Sequence, residues 1–400
     1  MDKLRIILGA CGIHLCIGSV YAWSVLTNPI MEYTGWSLSH ITFTFSLAIL
    51  FLGFSAAYWG KRVQRWGPKT SAATAMLFYV IGMLGSAYAI EMRSLILLYI
   101  FYGCIGGIGL GIGYIAPIST LLKWFPDAKG FAGGCAVMSF GFSAMISGPV
   151  MNYFISEHGL IYNFIIMSAI CAVIMLISVR LIELPPESYT YSSKYNYPVV
   201  VYKKKEGEKK EYTPEEAIRT VDFWVLWIVF FINISAGISI LSIASPMVEE
   251  MGMNAAEAAG MVGMTGILNG GGRMFYASIS DHIGRKLTYY IMFLMQLCAF
   301  LLLAGTNNPY MFQSLVFIIV TCYGGGFSCM PAYLSDLFGD THISEIHGRI
   351  LTAWGFAGLS GPLLLTVSHE VFGTYNTALY IFSALFVVSL LIMGYIRRPV

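Results

Sequence analysis

Residues 184–221 read LPPESYTYSSKYNYPVVVYKKKEGEKKEYTPEEAIRTV, the one long polar segment in a chain that is otherwise apolar. Six apolar runs precede it, at about 6–27, 41–59, 70–90, 95–121, 131–155 and 162–182. Six follow, at 222–245, 259–280, 288–305, 311–334, 349–370 and 377–396. These lengths suit the ~20 residues that cross a hydrocarbon core ~30 Å thick. Lipid offers the backbone no partners, so each run must close its own hydrogen bonds as a helix. The composition agrees: 57% of the 400 residues are hydrophobic and 11% charged, against roughly 25% charged in soluble domains. The expected fold is an all-α membrane protein of twelve transmembrane helices in two six-helix bundles, residues 1–183 and 222–400, joined by a cytoplasmic linker over 184–221.

The end of the linker has its own signal. Thr213-Pro214-Glu215-Glu216 supplies a capping hydroxyl, a proline at the first helical position and acids in the first turn, which predicts a short interfacial helix leading into Trp224. Lys203, Lys204, Lys205, Lys209 and Lys210 read as a solvated face rather than a lipid site. The basic start, Met1-Asp2-Lys3-Leu4-Arg5, resembles a signal peptide, but the run behind it is too long and shows no small-x-small cleavage site, so it reads as a retained first helix.

The net charge of +2 says little; its distribution says more. With the amino terminus inside, all but two of the 23 Lys and Arg fall at or near the cytoplasmic face. The exceptions are Arg93 outside and Arg273 within the membrane. By the positive-inside rule both termini are cytoplasmic and the protein is a multi-pass component of the cell membrane.

No cofactor or metal is expected. The eight cysteines all lie in apolar runs as packing residues. His14, His40, His158, His282, His342, His347 and His369 form no H-E-x-x-H or comparable cluster, which argues against a membrane enzyme. The Gly106–Tyr114 stretch contains a G-x-G-x-x-G-like pattern, but inside a span, where nucleotide binding lacks its strand-turn-helix context. No nucleic-acid partner is expected, and the chain is read as a monomer in the bilayer.

The two halves repeat at an offset of about 214 residues. Gly141-Phe142 followed by Ser147-Gly148-Pro149 matches Gly355-Phe356 followed by Ser360-Gly361-Pro362, and Gly113–Pro117 matches Phe327–Pro331. Parallel six-span repeats are the mark of transporters whose halves rock about a midplane site. The segments Gly60–Lys69 and Ala277–Lys286 both resemble the G-x-x-x-D-R-x-G-R-K loop of the major facilitator superfamily. Each is degenerate: Gln64 and Pro68 depart from the pattern in the first, Ala277 and His282 in the second.

Arg273 lies eight residues before Asp281, ~12 Å from the cytoplasmic end of its helix and near midplane. Centring such a charge in hydrocarbon costs at least ~2.5–3.5 kcal/mol, so it needs a cavity or a partner. No Asp or Glu lies at that depth of any run, which points to a diffusible anion; the guanidinium fork suits a carboxylate or phosphate. Asn269 is one turn earlier on the same face, and Gly270, Gly271 and Gly272 give room for close helix approach. In the first run His14, Gly18 and Tyr21 share a face, and His14 is a candidate proton carrier. Tyr114 is placed to offer a hydroxyl to a carboxylate, and Trp354 and Tyr323 to wall the opposite side of a solvated cavity.

A closer resemblance, over nearly the whole chain, is to the oxalate/formate antiporter family. It is carried by Gly18-Ser19-Val20-Tyr21-Ala22-Trp23-Ser24-Val25, by Gly111-Ile112-Gly113-Tyr114 through Lys123-Trp124-Phe125-Pro126-Asp127-Ala128-Lys129-Gly130, by Asn269-Gly270-Gly271-Gly272-Arg273, and by Tyr212–Glu216 with Phe223-Trp224. The resemblance implies that Arg273 binds the substrate carboxylate and that Tyr21, Tyr114 and Trp354 line the cavity. It also implies a lysine partner for the arginine in span eleven, where this chain has Trp354-Gly355-Phe356-Ala357. One cationic group balances one carboxylate, so the expected substrate is a small monocarboxylate of the lactate, pyruvate or formate type, moved with a proton or by anion exchange. The alternatives are an oxalate or other organic-anion antiporter, or a non-transporting nutrient sensor with a carrier fold.

Overall fold

The computed structural model describes residues 2–125, 129–186, 211–339 and 342–396. The linker lysines, Pro126-Asp127-Ala128, Arg397 and Arg398 lie outside the described residues, as do the side chains of Lys61, Gln64, Lys129 and Gly130. Every element among the described residues is helical. Eleven helices are long and apolar enough to cross a membrane. The remaining expected span, the eighth, is the 29-residue helix Ala255–Ile283, whose hydropathy is lowered by Glu257, Arg273, Asp281 and six glycines.

Most ends are fixed by side chains that accept the helix's unpaired N–H groups. Ser37, Thr220 and Asn308 cap the second, seventh and tenth spans. Asn254 and Glu257 form a capping box at the eighth. The linker ends as its sequence predicts: Thr213 accepts from Glu216 N at the short helix Pro214–Ala217. Tyr212 N then donates to Phe338 O, tying that end to the C-terminal tip of span ten.

Two segments differ from expectation. The predicted loop over 60–69 is helical on both sides of one break, at Gly67 (φ 75°, ψ 171°), inside Leu38–Glu91. A positive φ with no side chain to strain is what glycine permits. The fourth span is not a uniform α-helix: Tyr99–Gly106 forms a wider π-helical stretch. There Gly82 and Gly106 bring spans three and four so close that a Cβ on Gly82 would sit 2.8 Å from Gly106 Cα.

The halves meet along two helix crossings built on small residues. In one, Lys129–His158 packs on Ala255–Ile283, where a Cβ on Gly141 would come within 3.0 Å of Gly270 Cα and one on Gly266 within 2.7 Å of Met145 N. In the other, span two packs on Thr352–Phe372, with Gly53 within the same reach of Gly355. Without a hydrophobic drive between helices in lipid, close backbone approach supplies the attraction. Outward-facing Ile96, Val173, Val371 and Leu391 stay exposed, as a lipid-facing surface requires.

Candidate functional site

Arg273 lies on Ala255–Ile283, about one turn past the Gly141–Gly270 contact, and is 3% exposed. Its helix runs unbroken from the Asn254 cap, so Asn269 lies one turn away and its Oδ1 accepts from Arg273 Nε at 3.2 Å. The guanidinium carbon stands 4.9 Å from the centre of the Phe327 ring, a cation–π contact that holds the group without neutralising it. Nη1 and Nη2 are buried and have no acceptor. Among the described residues no carboxylate pairs with this arginine.

Glycines make the placement possible. A Cβ on Gly324 would lie 2.7 Å from Asn269 Oδ1 and 3.2 Å from Arg273 Cγ, and one on Gly272 would collide with the backbone of Thr321. Span ten therefore lies directly against the face that carries Asn269 and Arg273.

Aromatic rings close the rest of the shell. Tyr21 from span one and Tyr323 from span ten share a hydroxyl hydrogen bond of 2.8 Å across the halves. The Tyr21 and Tyr114 hydroxyls lie beside the guanidinium without closing a bond to Nη1 or Nη2. Trp354 packs 5.2 Å from Tyr114 and 4.7 Å from Phe327, and its Nε1 is also buried without an acceptor. Phe140 joins the two sides, edge-on to Tyr21 at 5.0 Å and Tyr114 at 5.6 Å.

His14 lies next to this shell, fully buried and stacked on Tyr114 with ring centres 5.4 Å apart. Its Nδ1 faces Ala136 O at 2.7 Å and its Nε2 faces Tyr114 O at 2.9 Å. A neutral imidazole donates to one of these carbonyls and a protonated one to both. A neutral ring therefore leaves one nitrogen lone pair facing a carbonyl oxygen.

The structure thus brings together Arg273, Asn269, Tyr21, Tyr114, Tyr323 and Trp354, with His14 behind them. One expectation is corrected: the arginine is not open to a solvated vestibule, because the Tyr21–Tyr323 pair and the surrounding rings enclose it. Sequence reasoning missed Phe327 and Phe140. Phe327 had a usable signal, since it is four residues after Tyr323 on one helical face and directly follows Gly324-Gly325-Gly326. Phe140 had none beyond its neighbour Gly141.

A model of the Major Facilitator Superfamily matches residues 8–362 and 274–400. The MFS-type transporter YhjX of Escherichia coli is 25% identical over 88% of this chain and 85% of its own length. The oxalate:formate antiporter of Oxalobacter formigenes is 26% identical over 91% and 84%, and apicoplast pyruvate carrier 1 of Toxoplasma gondii 21% over 92% and 85%. Among solved structures, a D-xylose-proton symporter superposes with a TM-score of 0.74 at 16% identity, covering 99% of this chain and 98% of its own.

Proposed function

The chain belongs to the Major Facilitator Superfamily, and on that premise we propose that it carries a small monocarboxylate across the cell membrane by alternating access, with both termini cytoplasmic. The observation that carries this reading is the pair of buried Arg273 nitrogens without an acceptor. An uncompensated charge in a low-dielectric interior is costly, and two parallel N–H donors at fixed spacing match the two oxygens of a carboxylate. Relatives named as an oxalate:formate antiporter and a pyruvate carrier support an organic anion as the substrate class.

Charge sets the finer choice. Among the described residues no second cation accompanies Arg273, so a dicarboxylate would keep one charge unpaired among aromatic rings. This balance favours monoanions over oxalate. The substrate would sit between Arg273 and Asn269 on one half and Tyr21 and Tyr114 on the other, so that its binding links the two bundles. Separation of Tyr21 from Tyr323 is the step that opens a path. His14 supplies a proton site one ring away from the substrate, which favours proton symport over pure exchange.

Counterflow of radiolabelled pyruvate and lactate in proteoliposomes tests the reading. Wild-type protein is expected to exchange them, and Arg273→Lys, which keeps the charge but loses the fork, to be inactive while still folded. Wild-type rates in that variant would remove Arg273 from the mechanism.

A further inference from the structure

We infer that the substrate bears a second acceptor, an oxygen on the carbon next to its carboxylate, and that the Trp354 indole N–H receives it. The inference rests on the monocarboxylate reading and narrows it to short 2-oxo and 2-hydroxy acids.

The argument is a count of donors. Three N–H groups in this shell are buried without acceptors: Nη1 and Nη2 of Arg273 and Nε1 of Trp354. A carboxylate seated on the guanidinium fork keeps spare lone pairs, but the fork fixes both of its oxygens in the fork's own plane, so a donor on another ring is met best by an oxygen on the neighbouring carbon. The indole N–H is that donor. Trp354 is 1% exposed, so water does not reach it from outside, and its ring neighbours, Tyr114, Phe140 and Phe327, present it with faces and edges. The guanidinium and the indole share neighbours: Phe327 contacts both, and Tyr114 packs on the indole with its hydroxyl beside the guanidinium. One small molecule seated on the guanidinium is therefore close to the indole as well.

The chemistry of the spare donor selects the ligand. Formate and acetate have no further oxygen and would leave the N–H unpaired. Oxalate would bring a second negative charge that no cation among the described residues balances. A keto or hydroxyl oxygen accepts one hydrogen bond without adding charge. A buried donor left without a partner disfavours the analogue that lacks the matching atom, so the site discriminates by rejection as well as by attraction.

Isothermal titration of the purified full-length protein with pyruvate, lactate and propionate reads this directly, since propionate has the same carboxylate and chain length without the oxygen. Wild-type protein is expected to bind pyruvate or lactate about tenfold more tightly than propionate, the effect of one hydrogen bond. Trp354→Phe keeps a ring and removes the N–H. It should bind propionate as wild type does and lose the preference. Trp354→His, which retains a ring N–H, should keep part of it and serves as the second variant if the first does not fold. Equal wild-type affinity for all three acids, or an undiminished preference in Trp354→Phe, overturns the indole assignment and leaves the carboxylate site standing. If no acid binds wild-type protein, the monocarboxylate reading falls and this inference falls with it.

Discussion

Arg273 and Arg285 stand twelve positions apart and receive opposite treatment. Arg285, the first residue of the helix Arg285–Ala304, pairs with Asp281 at 2.5 Å and Asp336 at 3.4 Å and also donates to Ser280. Arg273, deep in the preceding span, has one bond from Nε to a neutral amide and an aromatic face beneath it. Where the charge is structural and partly exposed the protein provides its own acids. Where the charge is buried, none is found among the described residues. A fold that meets each buried polar group elsewhere on the same helix has left this one to be completed from outside.

Removing each arginine breaks the comparison most strongly. Arg273→Gln should lower counterflow by at least about a hundredfold while leaving the apparent melting temperature unchanged or raised, because it deletes an uncompensated buried charge. Arg285→Gln should have the opposite profile: a stability loss of about 1–2 kcal/mol, kept small because both of its acids are more than one third exposed, and transport reduced only in proportion to the folded protein. A melting-temperature fall in Arg273→Gln equal to that of Arg285→Gln would erase the distinction between the two sites.

Asn269→Ala sharpens it at the next level. The amide fixes Nε and thereby the direction of the fork, so its loss should weaken substrate binding several-fold, about 1 kcal/mol, with little change in stability; titration of the variant measures it. The smallest effect on counterflow itself is expected from His14→Gln. Uptake driven by an imposed pH gradient should be lost while counterflow, which needs no net proton movement, continues. Preserved gradient-driven uptake in the variant would remove His14 from the coupling, and its absence in wild-type protein would assign the carrier to exchange.

Much of this was legible in the sequence for a physical reason. Span count, the capped end of the linker, and the isolated midplane charge all follow from solvent preference and local hydrogen bonding, which act within one segment. Asn269 was legible because i and i+4 positions share a helical face. The unread features depend on what another helix brings. Phe327 reaches the guanidinium from span ten, Phe140 touches rings of both halves, and the enclosure by the Tyr21–Tyr323 pair spans residues 302 positions apart. The π-helical turn over Tyr99–Gly106 likewise answers to the glycine contact with span three rather than to its own composition.

The central claim is that a substrate carboxylate lies on the free nitrogens of Arg273. Solid-state NMR distance measurement between 15Nη-labelled arginine and 1-13C-pyruvate, with the protein in lipid and Arg273→Gln as the assignment control, tests it most directly. The account predicts dipolar dephasing for a nitrogen–carbon distance on the order of 4 Å, as bidentate pairing at N···O ~2.7–2.9 Å requires, and its disappearance in the variant. Saturable binding without that dephasing, or with dephasing that survives the substitution, would contradict it.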